Sequence, residues 1–397
     1  MKTVFENGRL FVGDGKIVDN ATAIVEGNKI VDIGRRATTP AGAEVIDCSG
    51  KTIMPGLFDC EVHICFAREV RFSPETLEKR AMLAVMHARR TLEAGFTTVR
   101  DCGSEPYLNI DLRDVINAGW VPGPRILATG AMRMTGGHGG TFLEADGVDG
   151  CRKAARMFLS HNADIIKCMA TGGISDATLP TAYTYSVEEM AAAFEEAHKV
   201  GKRTAAHAYG PEGIKKAILA GANCIQHGNL LDDECIDLMT KREVFLVPTL
   251  ALRMLRERHP EIVKTKGYPE ASYQKNLDPL KHMRETRNME RAFRAGVKVA
   301  LGTDWPEEVA DHGDNAQEFD GLIELVGMTP MEAIIAATKT GAECCGLEGQ
   351  LGTIEVGKLA DILVVNGDPV ENINILKDIQ KIQIVMKDGI IFARRGL

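Results

Sequence analysis

Eight short apolar runs spread through the middle of the chain, most of them followed by helix-patterned stretches, constrain the fold more than any other feature. The runs are Thr52 to Asp59, Thr97 to Asp101, Arg125 to Thr129, Asp164 to Met169, Arg203 to His207, Cys224 to His227, Phe245 to Pro248 and Lys298 to Thr303. Each reads as a strand buried on both faces. Between them, Thr76 to Ala94, Val187 to Val200, Pro211 to Ala220 and Asp233 to Lys241 place Ala, Leu, Glu and Lys at helical spacing. Eight strands alternating with helices predict a (β/α)8 TIM barrel; a doubly wound open sheet is the competing α/β fold. The charged stretch Leu252 to Arg287, between the seventh and eighth runs, reads as a helical insertion over the barrel mouth.

The chain ends differ from its middle. Thr3 to Gly8, Ala23 to Asn28, Lys29 to Gly34, Ala360 to Val365 and Ile382 to Gly389 are short apolar runs closed by turn residues. Neither end can bury a core alone, so residues 1–54 and 346–397 are expected to form one composite β-sandwich, with 55–345 as the barrel.

Composition narrows the function. With 45% hydrophobic and 26% charged residues, the 397-residue chain reads as globular. A net charge of −8 without a basic run weighs against nucleic acid as a partner. No window of about twenty apolar residues exists and Met1 to Asn7 is unlike an export signal, so no membrane association and a cytoplasmic location are expected. The ten cysteines show no CxxC pair and read as small buried hydrophobes.

The chemistry lies in where polar residues fall. Glu61 and His63 follow the first run, Lys167 lies in the fourth, His207 in the fifth, His227 in the sixth, and Asp304 follows the eighth. In a barrel these strand ends converge on one face, where the set would hold divalent metal. A lone histidine is more often a structural residue, but this many ligand types in step with the strand count are not expected by accident. His87, His161, His198, His259 and His282 are assigned to the surface, and Arg133 and His312 are read as surface rather than site.

These residues resemble the amidohydrolase superfamily over essentially the whole chain. The supporting motifs are Met54-Pro55-Gly56-Leu57-Phe58-Asp59-Cys60-Glu61-Val62-His63, Ile165-Ile166-Lys167, Ala206-His207-Ala208-Tyr209, Gln226-His227-Gly228 and Gly302-Thr303-Asp304. The resemblance implies a carbamylated Lys167, formed with carbon dioxide, bridging two divalent metals, with His207 and His227 on the second metal and Asp304 accepting the proton of a bridging water. Gly136-Gly137-His138-Gly139 and His207-Ala208-Tyr209 are similar to the imidazolonepropionase-like and Xaa-Pro dipeptidase-like branch. That branch implies His138 and Tyr209 beside the substrate carbonyl or carboxylate, a dipeptide or N-acyl amino acid substrate, and a homo-oligomer.

Burial in an apolar strand would lower the pKa of Lys167 toward the neutral amine that reacts with carbon dioxide; the alternatives are a snorkelling lysine or a pair with Asp164. For Asp304 the alternative is a helix cap. Glu61 departs from the family pattern, which has histidine there. A carboxylate binds zinc at about the same distance as imidazole does. Glu61 is therefore read either as a ligand of one of two Zn2+ ions, with a shift toward harder ions such as Mn2+, or as a non-ligand beside a single metal, or as the mark of a site that binds without turnover. The expected activity is metal-dependent amide hydrolysis by a metal-bound hydroxide, with Asp304 and Lys167 as the catalytic pair. A mononuclear deaminase and a non-catalytic barrel protein are the alternatives. The first is disfavoured because Gly210 stands where such deaminases carry a glutamate.

Overall fold

The computed structural model describes residues 2–35, 38–66, 76–105, 107–173, 179–265, 270–306 and 309–396. Seven parallel strands follow one another around a barrel: Leu57–Val62, Phe96–Asp101, Arg125–Arg133, Ile165–Met169, Arg203–Ala208, Cys224–His227 and Phe245–Val247. The eighth place is taken by residues 298–305, which close the ring through single bridges rather than as a regular strand. Ala300 N donates to Leu246 O (2.9 Å) on one side and Cys60 N to Leu301 O (2.8 Å) on the other. A (β/α) barrel is therefore the fold, and the open-sheet alternative is excluded by that closure.

Its helices form where the sequence signals them. Ser186 caps Val187–Lys199: its hydroxyl accepts from Glu189 N while the Glu189 carboxylate accepts from Ser186 N. Ala192, Ala193, Phe194 and Ala197 turn inward along the same helix. The insertion after the seventh strand is helical over Ala251–Arg258, Pro260–Thr265 and Glu270–Thr286.

The chain ends build a separate mixed sheet, in the order Ile390–Arg394, Ile382–Lys387, Ile362–Asn366, Lys51–Pro55, Lys2–Phe11, Ile17–Glu26, Lys29–Gly34, with Glu44–Asp47 beside Lys2–Phe11. The two ends join where Lys51–Pro55 runs antiparallel to Ile362–Asn366. Phe5, Leu10, Ile53, Ile362, Val364 and Ile384 are among the residues of its own apolar core.

The run Thr52 to Asp59, expected as one strand, is two. It divides at Gly56 between the terminal sheet and the barrel, because a β-carbon there would lie 2.1 Å from Thr97 Oγ1 and the backbone must pass too close for any side chain.

Candidate metal-dependent active site

A buried carboxylate that sequence reasoning passed over sets up the site. Asp59 Oδ1 accepts from Glu61 N (3.0 Å) and Thr303 N (3.1 Å), and Oδ2 from Thr303 Oγ1 (2.7 Å) and Asn315 Nδ2 (2.8 Å). Burial pushes its pKa up to about 6, with these hydrogen bonds pulling the other way. Asp59 thus staples the first strand to the eighth. Glu61 O then accepts from Asp304 N at 2.7 Å, which sets Asp304 beside the first strand. Asp304 and His227 both hold positive φ (65° and 67°), which non-glycine residues adopt at a cost and which is concentrated at functional sites. Asp304 therefore does not have the extended backbone typical of a helix cap, and residues 307–308 of that segment lie outside the described residues.

Gly302 is what allows the close approach: a β-carbon there would meet Val247 Cγ1 at 2.3 Å and Glu61 N at 2.9 Å. Gly302→Ala is expected to cost about 1–3 kcal/mol of stability and to weaken metal binding by displacing Glu61, measured by urea unfolding and metal titration.

Glu61, His63 and Asp304 form the tightest grouping of metal-type ligands among the described residues, with one ligand atom from each within 4.8 Å of the others. His63 Nδ1 donates to Gly103 O (2.7 Å), which turns Nε2 toward Asp304 Oδ1 at 3.3 Å. The Gly103 turn is itself held by Asp101, which accepts from Gly103 N and Ile64 N. Burial opposes a charge on His63, but the Asp304 carboxylate outweighs it and raises the pKa. Burial likewise works against Asp304, yet His63, His227 and Lys167 hold it well below the usual carboxylate range. Glu61 Oε2 is buried and has no hydrogen-bond partner among the described residues. An orphaned carboxylate oxygen grouped with an imidazole and a second carboxylate fits a divalent cation.

Lys167 corrects the sequence argument. Burial does oppose its charge, but Glu61 and Asp304 more than offset that and the pKa is raised. Its Nζ donates to Glu61 Oε1 at 3.0 Å. Asp164, the alternative partner, is instead taken by Arg113 and Lys202. Burial first, and Asp304 after it, push Glu61 up to about 7, against the pull of Lys167.

His207 and His227 lie next to this group with ring centroids 4.6 Å apart. His227 Nδ1 meets Thr249 Oγ1 at 2.7 Å and its Nε2 lies 3.7 Å from Glu61 Oε1; His207 Nε2 meets Gly172 O at 3.3 Å. Burial, with cationic neighbours, holds both well below the usual histidine range, so each is the neutral imidazole that metals bind.

The His138 ring tilts over His207 at 4.5 Å, and Gly173 leaves it room. Tyr209 stacks on His227 at 4.7 Å, and burial raises its pKa. Arg133 is no free surface residue: it clamps the glycine-rich loop through Gly137 O (2.9 Å) and Gly140 O (3.2 Å). His87 and His312, expected at the surface, are buried with their rings 4.6 Å apart, because the inner face of helix Leu77–Glu93 carries His87 alongside Ala84 and Ala88. His161, His198 and His259 are exposed, and His282 is partly so. All ten cysteines are free and buried.

A family model described as the amidohydrolase family matches residues 52–391. Ochratoxinase of Aspergillus niger is 28% identical over an alignment covering 100% of this chain and 87% of its own. The crystal structure of a Xaa-Pro dipeptidase with methionine bound in its active site has a TM-score of 0.87 at 32% identity, covering 98% of this chain and 99% of that one. A putative prolidase from Bifidobacterium longum has a TM-score of 0.86 at 28% identity, covering 100% and 96%. No described helix is long and apolar enough to cross a membrane.

Proposed function

Because the chain belongs to the amidohydrolase family, we propose that it hydrolyses the amide bond of a dipeptide or N-acyl amino acid with divalent metal held by Glu61, His63 and Asp304. The carrying observation is the buried, unpartnered Glu61 Oε2 in that triad. The bound cation would lower the pKa of a water toward 7 and polarise the scissile carbonyl. Asp304, held ionised, accepts the proton of the attacking water and hands it to the leaving nitrogen. His138 and Tyr209, packed on His207 and His227, orient the substrate carbonyl. The substrate class is supported by the dipeptidase relative, whose active site holds a free amino acid.

The full complement in this reading would be two ions, Zn2+ or Mn2+, with His207 and His227 available to hold the second and Lys167, as its carbamate, supplying a further anionic ligand. Once Glu61 is committed as a ligand it no longer holds Lys167 protonated, and the freed amine is the form that reacts with carbon dioxide. One observation favours a single ion instead. Glu61 can present Oε2 to a metal while Oε1 keeps Lys167, as it does in the structure.

Chelator-stripped protein is expected to lose hydrolysis of dipeptides and N-acyl amino acids and to regain it with Zn2+ or Mn2+. Metal analysis should find about two equivalents with bicarbonate-dependent activity. One equivalent without bicarbonate dependence would establish the single-ion form. Undiminished turnover in metal-free protein would overturn the proposal.

A further inference from the structure

Arg253 lies three residues into the helix Ala251–Arg258 that follows the seventh strand, and is 2% exposed. Its guanidinium sits over the Tyr209 ring at 5.3 Å, and that ring stacks on His227 at 4.7 Å, so one aromatic ring separates Arg253 from the proposed ligands. Its Nε has no hydrogen-bond partner among the described residues. The nearby buried carboxylate of Glu318 accepts from Leu250 N with one oxygen and from Ala251 N with the other, each at 2.7 Å, and burial raises the Glu318 pKa well above the usual range. Glu318 thus fixes the start of the helix without forming an ion pair with the arginine. Arg253 has no ion-pair partner among the described residues, and a buried guanidinium in that position is costly unless an anion reaches it. Its planar fork matches a carboxylate in shape and hydrogen bonding. In an acylated amino acid the terminal carboxylate lies one residue beyond the scissile carbonyl, a span of about 3.8 Å.

We propose that Arg253 receives the terminal carboxylate of the substrate, restricting the enzyme to N-acyl α-amino acids and dipeptides with a free C-terminus. The inference rests on the amide-hydrolase reading of the same site and assigns its selectivity to a residue outside the metal-ligand set. Arg253 positions the substrate and takes no part in proton transfer.

The test uses metal-loaded wild-type, Arg253→Met and Arg253→Lys proteins with L-alanyl-L-methionine, N-acetyl-L-methionine and the corresponding methioninamides. Wild type should prefer the free acids by about a hundredfold in kcat/KM. Arg253→Met should lose that preference through KM, the free acids falling by far the more, and Arg253→Lys should keep part of it. Equal loss on acids and amides, at unchanged thermal midpoint, would overturn the assignment, as would a wild type indifferent to the carboxylate. If wild type cleaves none of these substrates, the hydrolase reading fails separately, and calorimetry with N-acetyl-L-methionine still decides the role of Arg253. A roughly hundredfold rise in Kd in Arg253→Met, absent for the amide, supports it; identical Kd values, or no binding to wild type, overturn it.

Discussion

Replacing Asp304 by asparagine is expected to lower kcat by about 10³-fold with little change in KM, within the range that general acid–base groups supply. The substitution keeps side-chain shape and leaves the backbone bond from Asp304 N to Glu61 O intact, so the positive-φ turn should survive. What disappears is the anion that faces His63 Nε2 at 3.3 Å and that His63, His227 and Lys167 keep ionised. An amide can neither accept the water proton nor deliver it to the leaving nitrogen. Steady-state kinetics on metal-loaded protein, with metal content measured in parallel, separates the lost proton transfer from lost metal. A drop below tenfold in a variant with full metal would remove Asp304 from the chemistry.

The part of this site legible from the sequence is the part that periodicity controls. Strand ends of a parallel barrel meet on one face whatever the side chains are, so counting runs sufficed to bring Glu61, His63, Lys167, His207, His227 and Asp304 to one mouth. The partners of those residues were not legible, because they are tertiary. Lys167 and Glu61 are 106 residues apart, and nothing local to Ile165-Ile166-Lys167 says that a carboxylate faces it. Burial alone pointed to a neutral amine; the opposing carboxylate reverses the sign. Asp59 had a usable signal, since it shares the first barrel strand with Glu61, whereas Asp101 lies on the second strand, which carries no candidate ligand, and its role as a backbone acceptor is tertiary. Arg253 had none: an arginine in a charged helix reads as solvated until Tyr209 is seen beneath it. The eighth run was legible as apolar sequence, while its pairing by single bridges reflects Gly302 and the Asp59 staple rather than strand propensity.

Lys167→Met is expected to destabilise the metal-free protein by about 3–5 kcal/mol, the usual cost of leaving one member of a buried ion pair without the other. The Lys167 side chain is 2% exposed and that of Glu61 0%, so water cannot replace the missing partner. Protonation of Glu61, whose pKa burial already pushes up to about 7, limits the loss. A carboxylate whose pKa is raised in the folded state is stabilising to fold around only while protonated, so the defect should be smaller below pH 7 and grow as pH rises through that value. Adding Glu61→Gln to Lys167→Met removes the stranded charge and should recover most of the stability, because a buried pair replaced as a unit is often nearly neutral. Urea unfolding of the four proteins in chelator gives the coupling directly as a double-mutant cycle. Additive losses would mean that the 3.0 Å contact carries no stability. Glu61→His completes the argument: it removes the anion that keeps Lys167 charged, so the amine should titrate lower and take up carbon dioxide more readily. Activity that persists in this variant with an altered metal preference would show that Glu61 serves as a ligand, and binding gained only there would show that glutamate cannot.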